Sequence, residues 1–192
     1  NPEPCTSLLA VVIYEWLAEN LEAFRATFTP RCESLGTALA SRHERRRAFW
    51  RQLLIAASEK TDLHGRISPR TDNWLGASAG VSGLSYNYVV RMNDASVEFW
   101  FDKRTKEANK KLFDEFMASR DEIEVSFGQS LNWERLDSGK ASKVTHEMEI
   151  GGLSSSEENW PTIHEQMVAS MVQLEAAMSP HVAKLSTRKR GS

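Results

Sequence analysis

The chain has 192 residues, of which 41% are hydrophobic and 26% charged, with a formal charge of −2; this is the balance of a folded chain with one substantial core and excludes a disordered polyelectrolyte. No run approaches the roughly 18 apolar residues of a membrane span. The apolar stretch at residues 8–13 leads into Glu15, Glu19 and Glu22 rather than a cleavage site, so neither a membrane partner nor an export signal is read. Cys5 and Cys32 are the only cysteines and have no CxxC spacing, which fits a reducing, cytoplasmic compartment, a single Cys5–Cys32 bridge being the alternative.

In chain order, Leu9, Val12, Ile13, Trp16, Leu17, Leu21 and Phe24 predict an amphipathic helix over residues 4–28. Thr29-Pro30-Arg31 predicts its end. Ser41 and Glu44 have capping-box spacing, which predicts a second helix with Phe49, Trp50, Leu53, Leu54 and Ala57 on its buried stripe. Residues 61–73 read as a loop and Trp74-Leu75 as a short strand. The glycine-rich stretch at 76–83 lacks the lysine and hydroxyl of a phosphate loop and feeds a strand, so it reads as a turn that lets backbones pass closely.

Residues 82–102 predict a β-hairpin. Leu84, Tyr86, Tyr88, Val90 and Met92 alternate in one arm, Val97, Phe99 and Phe101 in the other, around Asn93-Asp94-Ala95. Ala108, Leu112, Phe116, Ile123 and Phe127 mark one long helix or a broken pair ending at Gly128. Residues 131–136 and 141–150 predict a second hairpin about Asp137-Ser138-Gly139. A last helix, capped by Ser155 and Glu158 and striped by Ile163, Met167, Met171 and Leu174, is expected to end at Pro180. The basic tail from 186 is expected to be mobile.

These elements give an α+β fold: an antiparallel sheet of about four strands built from two β-hairpins, packed with helices mostly on one face, plus an N-terminal helical segment. The expected division is a helical arm at 1–40, an α+β domain at 41–185 and the tail at 186–192.

The ordered set Phe49-Trp50, Ser68-Pro69, Asn73-Trp74, Ser82 to Asn87, Val97-Glu98, Asp102-Lys103, Asn109-Lys110, Phe127-Gly128 and Trp133 to Asp137 resembles a prokaryotic family, domain of unknown function 4268. The resemblance continues through Glu158, Trp160 and Leu174-Glu175 and covers about residues 41–182. It implies a bacterial DNA-processing, restriction or defence setting and, as a partner, the nuclease-like chain or domain that precedes this domain in larger members. It implies no catalytic residues.

Glu98, Trp100 and Asp102 share a face of the second hairpin arm, with Lys103 and Arg104 directly after. Glu98 and Asp102 are the candidates for holding a divalent metal and hence for nuclease chemistry, although the acid-x-lysine triplet of such sites is missing. The alternative pairs Glu98 with Arg91 across the hairpin. Basic clusters at Arg42, Arg45, Arg46, Arg47 and Arg51, at Lys103, Arg104, Lys106, Lys110 and Lys111, and at Lys184 to Arg190 suit phosphate backbones. Tyr86, Tyr88, Trp100 and Trp133 would stack bases if they face solvent. The nucleic-acid contacts read from this are Arg45, Arg46, Arg47, Arg91, Trp100, Lys103 and Arg104. The five histidines have no zinc-ligand spacing, so no metal site and no cofactor are read.

Three functions follow. The first is a non-catalytic module that binds nucleic acid or docks a partner, the second a homodimer or larger assembly built on the first helix, and the third a metal-dependent nuclease.

Overall fold

The structure, a computed structural model, describes the backbone of residues 5–188, with side chains from 38 to 185 and at scattered earlier positions. The chain divides into two units, Asn1–His43 and Glu44–Ser192.

In the first unit the backbone is helical from Cys5, as part of α1 (Cys5–Ser58). The expected break at Pro30 does not occur, nor does the start at Ser41, which lies within the helix. A proline removes one backbone donor and crowds one turn, at about 3 kcal/mol; here the ladder continues on both sides of it. The side chains of Cys5 and Cys32 lie outside the described residues.

In the second unit β1 (Trp74–Ser78), β2 (Leu84–Val90), β3 (Ala95–Phe101), β4 (Asn132–Glu134) and β5 (Ser142–Met148) form one antiparallel sheet in the order β1-β2-β3-β5-β4. The two expected hairpins are β2–β3 and β4–β5, joined by pairing of β3 with β5. The fifth strand is β1, which extends the Trp74-Leu75 reading through the first glycine. The close backbone approach foreseen in the glycine run falls at Gly83. Its φ is +79°, and a Cβ there would sit 2.8 Å from the Asp102 carbonyl oxygen, while the Asp102 amide donates to the Gly83 carbonyl at 2.7 Å.

Register sorts the two faces. Tyr86, Phe99 and Val144 are paired across three strands, and the next row is Asn87, Glu98 and Thr145. The apolar rows lie under α2 (Lys106–Met117), α3 (Arg120–Phe127), α4 (Trp160–Arg188) and the end of α1, in one core with Phe49, Trp50, Met167 and Met171. Phe99 stacks on Phe116 at 5.8 Å, and Phe101 meets Phe113 and Phe116 edge-on at 5.7 and 5.1 Å, each contact adding about 0.5–1.5 kcal/mol beyond area burial.

The helix after β3 is the broken pair: Thr105 caps α2 by accepting from the Ala108 amide, and Gly128, at φ +94°, closes α3. Two expectations for α4 are corrected. Ser155 caps nothing; its hydroxyl accepts from the Gly152 amide at 3.1 Å, and a 3₁₀ turn at Glu157–Asn159 leads into the helix. Nor does Pro180 end it. The apolar stripe continues past it to Val182, 6% exposed, and that packing outweighs the forfeited hydrogen bond. Of the tail from 186, residues to Arg188 are helical and the rest lie outside the described residues. No helix is long and apolar enough to cross a membrane among the described residues.

Candidate functional site

Because strand side chains alternate, the face opposite the helices carries the residues between the apolar ones. It opens as a groove of about 450 Å³ whose lining includes Trp74, Asn87, Arg91, Glu98, Trp100 and Lys143. Asn87 and Glu98 are directly paired across β2 and β3 and form its floor. A Cβ built at Gly76 would collide with the Asn87 amide and lie 3.1 Å from the Trp74 ring. The missing side chain therefore lets indole and amide close over the β1 backbone. From the other side, the Trp100 indole N–H donates to Glu98 Oε2 at 2.5 Å. With its oxygen turned toward that indole, Asn87 also accepts from it at 3.2 Å and donates to the Tyr86 carbonyl at 3.1 Å. Two indoles thus flank an amide.

Glu98 is 3% exposed, and a carboxylate so buried needs partners. Lys143, reaching across from β5, donates to its Oε1 at 3.1 Å, and Arg91 lies 3.7 Å from the same oxygen. The cross-hairpin pairing of Glu98 with Arg91 is therefore present. Burial draws the Lys143 pKa down, but Glu134, also 3.1 Å away, and Glu98 outweigh it and hold the ammonium above its ordinary value. Arg91 is held charged by Asp94, 2.6 Å from its guanidinium, against partial burial. Asp102 pairs with Lys140 at 2.6 Å. Four residues from Glu98, it is displaced by roughly 13 Å along an extended chain. Among the described residues no group of three His, Cys, Asp or Glu side chains is placed to hold a metal ion.

The other basic and aromatic candidates fall in several places. Arg45 is a clasp: its guanidinium donates to the carbonyls of Leu153 and Ser155 at 2.7 Å each and lies 5.0 Å over the Trp160 ring. Arg46 donates to the Thr71 carbonyl at 3.2 Å. Arg47 and Arg104 are exposed. Lys103, directly beyond the groove-lining Asp102, donates to the Ser82 carbonyl at 2.6 Å. Lys110, counted in the second basic cluster, is buried and donates to three carbonyls, those of Arg135, Leu136 and Ala141. Of the four aromatic residues considered for stacking, Tyr86 and Tyr88 are buried among the helices at 2% and 0% exposure, because their parity along β2 matches the apolar row. Trp133 donates to Glu124 at 3.0 Å and packs on Phe113. Trp100 alone belongs to the open face, where Trp74, 43% exposed, joins it.

Sequence reasoning passed over Trp74, Asn87 and Lys143. Asn87 had a signal, being the polar residue between two tyrosines of an apolar strand. Lys143 had none, since its proximity to Glu98 arises only when β5 pairs with β3. A cleft of about 880 Å³ between the end of α1 and α4 is lined by Ile55, Ala56, Val168 and Val172 together with Gln52, Glu59, Lys60, His164, Glu165 and Gln173.

The family model for Domain of unknown function (DUF4268) matches residues 45–182. Comparison with curated proteins and with solved structures gives no match.

Proposed function

The chain belongs to the DUF4268 family, and we propose that its domain is a non-catalytic module that binds single-stranded nucleic acid along the open face of its sheet. The observation that carries this reading is the groove in which Trp74 and Trp100 flank the Asn87 amide. Indole faces accept unpaired bases with little regard to sequence, at roughly 1–3 kcal/mol per stacked base. With its bonds to the Trp100 indole and the Tyr86 carbonyl made, the Asn87 amide still has one N–H and one oxygen lone pair for a base edge. Duplex DNA hides the base faces in its stack, so the groove's indoles favour single strands. Exposed Arg104 and Lys106 follow the groove's end at Asp102 and supply phosphate contacts. A DNA-processing or defence setting, as the family resemblance implies, is where such a module would act beside a partner nuclease.

The groove's carboxylates argue for binding over hydrolysis. Both Glu98 oxygens are engaged by Trp100, Lys143 and Arg91, and Asp102 is turned to Lys140. A metal-dependent nuclease needs acidic oxygens converging on one point, and these diverge.

The test is binding of the purified chain to labelled single- and double-stranded DNA and RNA at two salt concentrations, alongside Trp100→Ala. Salt-sensitive retention of single strands, weakened about 5- to 150-fold by that substitution, is expected. Absence of binding, or binding indifferent to Trp100, overturns the reading.

A further inference from the structure

The two edges of the sheet are built differently. At one edge β4 is three residues long, contains Glu134 and runs directly into Arg135. Shortness and charge keep a free edge from pairing with another chain. At the other edge β1 has neither device. Its sequence, Trp74-Leu75-Gly76-Ala77-Ser78, has no charge and no proline, and it pairs with β2 residue for residue without a bulge.

Successive residues of a strand point their backbone groups to opposite sides. The Val90 amide donates to the Asn73 carbonyl at 2.9 Å and the Ala79 amide to the Leu84 carbonyl at 3.0 Å. The odd-numbered residues from 73 to 79 therefore face β2, and the amides and carbonyls of Trp74, Gly76 and Ser78 face outward. Among the described residues none of these outward groups has a hydrogen-bond partner. Such a row of donors and acceptors fits an extended peptide backbone.

The strand's own sequence decides which peptide. Laid antiparallel against itself about Gly76, each outward residue meets another and exchanges both hydrogen bonds with it. Gly76 faces Gly76, so no side chains collide at the two-fold axis. Trp74 faces Ser78 of the second copy on the open face, and Leu75 faces Ala77 of the second copy on the core face, a large side chain against a small one each time. Sliding the register by two residues leaves either Trp74 or Ser78 unpaired. This self-complementarity is what an interface between two identical surfaces requires.

We propose that β1 pairs antiparallel with β1 of a second copy, about Gly76, and joins the two sheets into one. The two-fold axis is then normal to the sheet, so both open faces look the same way and the grooves beside the two Trp74 indoles are neighbours. The experiment is light-scattering mass of the full chain over a wide concentration range, for wild type, Ser78→Pro and Ser78→Ala, with hydrogen exchange of residues 74–78 followed on the same samples. Proline removes an outward amide, which a solvent-facing edge position tolerates. Both variants lose the hydroxyl that accepts from the Gly80 amide at 3.2 Å, so their difference isolates the backbone donor. A wild-type mass rising to near twice 21.7 kDa with slowed exchange at 74–78 is expected, retained in Ser78→Ala and lost in Ser78→Pro. A wild type that stays monomeric, a Ser78→Pro variant that dimerises like wild type, or a dimer whose 74–78 amides exchange as fast as the monomer's overturns the proposal. So does a single-chain mass with those amides protected only when a single-stranded oligonucleotide is added, which gives the edge to nucleic acid.

Discussion

Lys110→Met tests whether a buried ammonium holds the second hairpin to α2. Lys110 is 6% exposed; its ammonium donates to the carbonyls of Arg135, Leu136 and Ala141 at 2.5, 2.9 and 2.6 Å and to the Ser142 hydroxyl at 3.1 Å. Methionine fills similar volume but has no donor. The Arg135 carbonyl keeps the Ser142 hydroxyl at 2.7 Å, and the Leu136 carbonyl keeps the Gly139 amide at 2.9 Å. The Ala141 carbonyl has no such substitute. One orphaned acceptor costs about 1–3 kcal/mol and each weakened bond about 1. Relief of the lysine's own desolvation offsets part of this, leaving a net loss of about 2–4 kcal/mol. The assay is urea unfolding: the midpoint should fall with unchanged slope. Lys106→Met, exposed one turn earlier, should stay within about 0.5 kcal/mol of wild type. A Lys110→Met midpoint equal to that control would refute the reasoning.

Replacing Glu98 and Lys143 together by leucine should leave urea stability unchanged or raised, since a buried ion pair exchanged for apolar side chains is often neutral or stabilising by 1–4 kcal/mol, while retention of single strands is lost; retained binding would remove the groove from the function. Gly83→Ala should lower stability by about 2 kcal/mol or more, because it combines a φ of +79° with a Cβ 2.8 Å from backbone; an unchanged thermal midpoint would mean that the turn yields freely. Burial pushes the rings of His64 and His164 down to about 4, with backbone carbonyls of Tyr86 and Leu75 partly opposing this at His64. The unfolded chain then takes up protons that the folded chain refuses, so stability is lost as pH falls from about 6.5 to about 4, by up to roughly 3 kcal/mol per ring. Asp114, whose carboxyl Arg135 holds below its usual value, contributes a loss only at lower pH. The urea midpoint at pH 5 should therefore lie below that at pH 7, a difference that His64→Phe with His164→Phe should shrink; equal midpoints in the wild type would contradict it.

What could be read ahead of the structure follows the range of the interactions involved. Alternation in Leu84 to Val90 and Val97 to Phe101 is a local consequence of strand geometry, so the hairpin and its apolar face were legible. The strand at Trp74–Ser78 was legible only at its start, because Gly76 and Ser78 have poor strand propensity and β1 is held by its pairing with β2. Pro30 and Pro180 were read as ends by a local rule, which a continuous ladder in one case and apolar packing in the other overrode. Ser41 and Ser155 had the spacing of caps, but a spacing does not say that a helix starts there. Arg45 looked like one of a cationic run; its two carbonyl partners lie more than a hundred residues away, beyond any local signal. The groove depends on the same kind of distance, since Lys143 meets Glu98 only through strand order.

The residues that carry the family resemblance divide by what the fold requires of them. Trp50 donates to the Asp72 carbonyl at 2.8 Å, Asn109 ties the Lys103 and Lys140 carbonyls together, and Arg135 bridges to Asp114 at 2.9 Å. Each joins segments that would otherwise part, and a loss of stability is sufficient reason for it. Asn87 and Glu98 are different. They lie on the sheet face away from the core, where apolar residues would cover the strands without desolvating a charge, and Glu98 needs Lys143 and Arg91 to be tolerated there. A buried ion pair adds little to stability relative to an apolar replacement, and a groove walled by indoles adds less than a filled one. The fold would stand without them. On the binding reading proposed above, their reason lies in what enters the groove, so a binding assay on Trp100 and the paired Glu98 and Lys143 substitutions tests function, while Lys110, Asn109 and Arg135 bear on stability.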